Sequence, residues 1–170
     1  MNNEKKQVNN QKPSKPSRWL NEFQNNVTSQ NGEDGIIAKI FEIIPDKNKW
    51  CVEFGAWDGK LYSNTYNLIN QQSYSAVLIE ANPSKFQALI KTYQENKKVI
   101  PINAFVGFES KNNLDTHLEP TTIPLDFDLL SIDIDGNDFH VWKASQHYMP
   151  KVVVIEYNPT IPNKVEFVQK

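Results

Sequence analysis

The sequence predicts an α/β protein built on a doubly wound, mainly parallel, Rossmann-like sheet in a three-layer α/β/α sandwich. Three observations carry that expectation. Five short apolar runs recur between residues 50 and 155, each of the length and character of a strand buried on both faces of a parallel sheet. Helical patterns or polar segments separate the runs, which is the alternation that parallel crossover connections require. The chain has 170 residues, 39% of them hydrophobic, enough for one domain with a sizeable core.

Taken in order, residues 1–18 are mostly Asn, Gln, Lys, Pro and Ser, with too little apolar surface to offset the entropy of ordering, so a disordered basic tail is expected before a single domain over 19–170. Ile36, Ile37, Ile40, Phe41, Ile43 and Ile44 recur at helical spacing, and Pro45-Asp46 marks the stop. Trp50–Phe54 is the first strand. A helical pattern through Tyr62, Tyr66 and Ile69 follows, with Ser63 as its cap. Ala76–Ile79 is the second strand. Asn82-Pro83 reads as an N-cap followed by proline at the first helical position, with Phe86, Leu89, Ile90 and Tyr93 on one face. Val99–Val106 is the third strand, residues 109–124 have no assignable structure, and Leu129–Ile132 is the fourth strand. Gly136-Asn137-Asp138 opens a short helix through Phe139, Val141 and Trp142, and Val152–Ile155 is the fifth strand.

Composition narrows the function classes. A single cysteine, Cys51, rules out a disulfide framework and points to a reducing, cytoplasmic setting. No apolar run approaches the about 18 residues of a membrane span, and the N-terminus has no apolar signal core. Residues 1–18 carry five cations and one acid, which leaves 13 basic against 19 acidic residues in the rest. Arg18 is the only arginine. An anionic body without arginine forks is unsuited to nucleic acid, so the expected ligand is a small molecule.

An open doubly wound sheet binds its ligand outside the carboxyl ends of the strands. The first strand ends in Glu53-Phe54-Gly55-Ala56-Trp57-Asp58-Gly59. Gly55 and Gly59 suit a tight turn, but G-x-x-x-G is not the dinucleotide fingerprint, and Lys60 alone makes no P-loop. Glu53 and Asp58 would repel a pyrophosphate at close range. They suit the cationic sulfonium and ammonium of S-adenosylmethionine. Glu80 ends the second strand, 21 residues beyond Gly59, about the offset at which an acid meets ribose hydroxyls in adenosine-binding sheets. Trp57 is a candidate ligand wall.

The fourth strand runs into Asp133-Ile134-Asp135-Gly136-Asn137-Asp138. Counted from Asp133, the sixth and twelfth positions are Asp138 and Ala144, which excludes an EF-hand. A haloacid-dehalogenase motif would normally lie on the first strand. An Asp-x-Asp holding a divalent metal and a sugar nucleotide stays open. In the favoured reading Asp133 faces the transferred methyl group or its acceptor, Asp135-Gly136 turns the chain, and Asp138 complements the start of the next helix. Glu156 and Asn158, after the fifth strand, join Asp133 in a donor set suited to magnesium or to a proton-accepting pair. His140 is a candidate general base for an alcohol, although a lone histidine beside Trp142 also suits packing. His117 and His147 have no companions at metal-site spacing, and Cys51 belongs to the core.

Six segments together carry a resemblance: Ser29–Asp34, Val52–Ala56 with Ser63–Tyr66, Ile79–Pro83, Ile102–Ala104, Leu130–Gly136 and Val154–Glu156. Their order and spacing resemble the FkbM-like branch of class I S-adenosylmethionine-dependent methyltransferases. The resemblance implies that Glu53, Gly55, Ala56 and the turn to Gly59 lie along the methionine moiety, that Glu80 binds the ribose, that Asn82, Asn103 and Ala104 border the adenine, and that Asp133 faces the reaction centre. Gln30, Ser63 and Asn64 match further positions of the family. The implied activity is O-methylation of a hydroxyl on a sugar or other small molecule. A full sheet of that family has seven strands, so the domain is expected to lack two strands at its C-terminus. The open edge of the fifth strand is then a surface for self-association, and a catalytically impaired cofactor-binding or assembly module is the alternative.

Overall fold

The computed structural model describes residues 18–45, 47–157, 160, 162, 164 and 165. The expected basic tail, apart from Arg18, and Asn158 lie outside them. After a 3-10 turn at Trp19–Phe23 come α1 (Glu33–Ile43), β1 (Trp50–Phe54), α2 (Tyr66–Gln72), β2 (Ser75–Ile79), α3 (Pro83–Thr92), β3 (Val99–Ile102), α4 (Leu114–Leu118), β4 (Leu129–Ile132), α5 (Asp138–Ala144) and β5 (Val152–Ile155). The five strands form one parallel sheet in the order β3-β2-β1-β4-β5. The chain winds outward from β1 in one direction and then, from β4, in the other. The crevice between the β1 and β4 ends is therefore the switch point of the fold.

Strand alternation sends successive side chains to opposite faces. Cys51, Ala76, Leu78 and Leu129 pack with Ile37 and Phe41 of α1, Leu68 of α2 and Leu89 of α3. Val52, Phe54, Val77, Ile79, Leu130 and Ile132 pack with Leu114 and Leu118 of α4 and Val141 of α5. Both faces are covered, which is why the strands read as continuous apolar runs instead of alternating ones.

Three local details differ from expectation. β3 stops at Ile102, not Val106, because the Asn103 side chain leaves the ladder and donates to the carbonyls of Glu80 (2.6 Å) and Ala81 (3.3 Å). Pro101 is tolerated because β3 is an edge strand. α2 begins at Tyr66, and Tyr62 stands outside it with φ +58°. The Ser63 hydroxyl still accepts the Tyr66 N–H at 3.0 Å, so it serves the helix start from further upstream than a cap normally does. The polar segment after Glu109 holds α4, capped by Asn113 Oδ1 on the Thr116 N–H at 3.0 Å. By contrast Asn82 caps α3 as expected, accepting from Ser84 and Lys85 ahead of Pro83.

β5 is bonded to β4 on one side and, among the described residues, forms an edge of the sheet, with all four of its residues half-buried. No helix among the described residues is long and apolar enough to cross a membrane.

Candidate functional site

The turn after β1 is shaped by two glycines whose side-chain positions are already filled. Gly55 has φ +74°, and a Cβ there would stand 1.9 Å from the Asp133 carbonyl oxygen, so the β1 and β4 exits touch through backbone. Gly59 has φ +72°, and a Cβ would meet the Tyr93 ring at 2.6 Å. The Tyr93 hydroxyl donates to the Gly59 carbonyl at 2.7 Å, while buried Ala56 donates its N–H to Ile79 of β2 at 3.1 Å. Trp57 also takes a positive φ, +51°. Its indole is half-exposed, with the Lys85 ammonium 4.0 Å over the ring. Asp58 turns its carboxylate onto its own loop, accepting from Lys60 (2.9 Å) and Leu61 (2.8 Å). It is a turn-former, with one oxygen already engaged.

At the β2 end Glu80, 8% exposed, accepts the Trp57 N–H at 2.8 Å on one carboxylate oxygen and the Asn82 N–H at 2.7 Å on the other. The glycine turn and the start of α3 are thereby pinned to one acid. Asn103 reaches the same strand end through its bonds to the Glu80 and Ala81 carbonyls, and Ala104 packs against the core under α4 and α5. Glu80, Asn82, Asn103 and Trp57 thus gather at one end of the crevice.

Glu53 lies on the opposite side of the β1 backbone from Phe54, under the helices α1 to α3, and is 5% exposed. Its carboxylate accepts from Ser63 Oγ (2.6 Å), Thr65 Oγ1 (2.7 Å) and the Asn64 N–H (2.9 Å). Burial pushes this carboxyl above the ordinary range, and the hydrogen bonds from Ser63, Thr65 and Asn64 oppose the rise. Asn64 in turn donates through Nδ2 to Ser131 Oγ at 3.1 Å, while its Oδ1 is buried without a hydrogen-bond partner.

The other end of the crevice is a cleft of about 110 Å³ between the β4 and β5 ends and the loop before α1. Gln30, Asn31 and Glu33 form one wall, Tyr62 and Asn64 a second, and Asp133, Val154 and Glu156 a third. Among the described residues no lysine or arginine lines it. Carboxylate oxygens of Asp133, Asp135 and Glu156 lie within 4.8 Å of one another, a donor set that could hold a hard divalent cation. Burial, then the charges of Asp135 and Asp138, push Asp133 upward, and burial, then Asp133, does the same to Glu156. Asp138 is spent on structure: it starts α5 and accepts the N–H groups of Ile134 (3.0 Å) and Gly136 (2.9 Å). His140 lies against the rings of Phe108 and Phe139, each 5.7 Å away. It is not among the residues lining the cleft.

Three contributors are not singled out by the sequence. Asp34 is buried and accepts the N–H groups of Val27, Thr28 and Ser29, each at 2.8 Å, which shapes the loop carrying Gln30, Asn31 and Glu33. Thr65 and Ser131 complete the Glu53 network. Their only signal is position, Asp34 within the first resembling segment and Ser131 two residues before Asp133.

No protein-family model matches this chain, and no curated protein matches it either. The functional reading therefore rests on the geometry of the crevice.

Proposed function

We propose that the protein is an S-adenosylmethionine-dependent methyltransferase that transfers a methyl group to a hydroxyl of a sugar or other small molecule. The observation that carries this reading is the sign of the crevice. Glu80 stands at the β2 end beside Trp57, which the Lys85 ammonium covers, and Asp133 and Glu156 stand at the β4 and β5 ends, where no basic side chain among the described residues lines the cleft. A pyrophosphate would be repelled there, whereas a sulfonium and an ammonium are attracted. The unpartnered Asn64 Oδ1 is an acceptor and asks for a donor, as the acids do. This set of acceptors suits the cationic sulfonium and ammonium of S-adenosylmethionine.

Glu80, with free lone pairs beside its two backbone bonds, would take the ribose hydroxyls, and Asn82, Asn103 and Trp57 would border the base. Bound there, the cofactor supplies an electrophilic methyl group. Asp133 would orient the acceptor hydroxyl and take its proton, and Glu156 beside it would share that proton. Most of the catalysis is then positioning. Calorimetry with S-adenosylmethionine and S-adenosylhomocysteine tests the reading, and absence of binding by the intact chain overturns it.

Two other readings have an observation each. The acidic triad favours a metal-dependent glycosyl transfer with magnesium or manganese on Asp133 and Asp135, which would show as manganese-dependent binding of a sugar nucleotide without affinity for S-adenosylmethionine. The edge position of β5 among the described strands favours an assembly module that self-associates through that strand. A buried free Cys51 suits a reducing cytoplasm.

A further inference from the structure

We propose that Glu53 is a positioning residue, which sets the cleft through Asn64 and does not itself touch the ligand. The geometry stands alone, and its catalytic consequence rests on the methyltransferase reading. β1 is otherwise apolar at its core positions, and the neighbours of Glu53 on its face of the sheet are Cys51, Leu78 and Ser131. A hydrophobic residue would serve the fold there at least as well, because an isolated buried carboxyl is expensive and even a paired one is often no better than an apolar isostere. Three donors at 2.6 to 2.9 Å offset that expense. All three come from one tripeptide, Ser63-Asn64-Thr65.

The Asn64 N–H and the hydroxyls on either side of it are held by the same carboxylate, which fixes its backbone, and from that backbone its side chain reaches Ser131 Oγ and the cleft. The second wall depends on the same anchor. Thr28 Oγ1 donates to the Ser63 carbonyl at 3.1 Å, which ties the loop bearing Gln30, Asn31 and Glu33 to the tripeptide that Glu53 holds. One buried acid therefore references two walls of the cleft to the sheet that carries Asp133.

The test uses the full chain with Glu53→Gln and, should that variant not fold, the near-isosteric Thr65→Val, which removes one of the three bonds, keeps the carboxylate and leaves the Ser63 hydroxyl on the Tyr66 N–H. Amide hydrogen exchange by NMR should show the Asn64 N–H exchanging about tenfold faster or more, the loss of one charge-assisted bond, with β1 and β4 amides unchanged. Affinity for S-adenosylhomocysteine should fall in Glu53→Gln and in Asn64→Ala, and fall no further in the double variant. Unchanged Asn64 exchange, additive affinity losses, or an equal loss of protection across the whole sheet would each overturn the proposal. If the wild-type chain does not bind S-adenosylhomocysteine, the methyltransferase reading falls, and the exchange result still decides the role of Glu53.

Discussion

Asp133 and Glu156 leave adjacent parallel strands one residue beyond the ladder, where burial and then the Asp133 charge raise the Glu156 carboxyl. Asp133 itself is raised by burial and by Asp135 and Asp138, against a hydrogen bond with Glu156 that lowers it. β4 and β5 are in register at Ile132 and Ile155, so the next residue of each strand must stand beside the other. Two acids at those positions cannot avoid one another.

This repulsion has a definite pH signature. Both folded-state values are raised, by burial first and then by neighbouring acids. The stability these groups contribute is therefore present below the ordinary carboxylate range and lost as pH rises through their raised values. Glu156→Gln removes the repulsion at neutral pH and should raise the Tm by roughly 1–3 °C there. The advantage should shrink as pH falls through the raised carboxyl range, because the native acids then take up protons. Thermal melts of both proteins across pH 3–8 check the sign, and a variant less stable at pH 7 would refute it.

Gly55→Ala places a Cβ 1.9 Å from the Asp133 carbonyl oxygen at φ +74°. Backbone cannot yield there without separating β1 from β4, so the expected loss is about 3 kcal/mol or more, measured by denaturant titration. A neutral result would mean that the turn is not held as described.

Glu80→Ala frees the N–H groups of Trp57 and Asn82 together. On the proposed methyltransferase reading, affinity for S-adenosylhomocysteine should drop at least about tenfold, because the acid proposed to take the ribose and the pinning of the turn go at once. Calorimetry gives the affinity. Retention of full affinity would remove Glu80 from the ligand site.

Asp128 supplies a control at the opposite end of the strands. It is fully buried and accepts the N–H groups of Asn48 (3.1 Å) and Lys49 (2.8 Å) and the Lys151 ammonium (2.8 Å). Asp128→Ala should cost about 3–5 kcal/mol of stability by urea unfolding, with ligand affinity of the folded fraction unchanged. A selective loss of binding would mean that the two ends of the sheet are coupled.

Strand and helix placement is largely legible in the amino-acid sequence. Trp50–Phe54, Leu129–Ile132 and Val152–Ile155 keep the bounds their apolar runs predict, because both faces of a parallel sheet are buried and polar residues mark where burial ends. Asn82-Pro83 specifies the start of α3 by cap chemistry alone. α4 escapes such a reading because Leu114 and Leu118 offer only one turn of periodicity inside a polar segment.

The acids divide along the same line. That Glu53, Glu80, Asp133 and Glu156 fall at or near strand ends follows from where the apolar runs give way to acids, although Glu53 and Glu80 stay buried. Which of them faces a ligand does not. Asp58 and Asp138 fold back onto their own backbone, and Glu53 is consumed by donors 10 to 12 residues further along the chain. Such partnerships depend on where a loop returns in space, and a linear pattern holds no record of that. Only the packed sheet, by bringing β1, β4 and the 63–65 turn together, separates the acids that hold the site from those that line it.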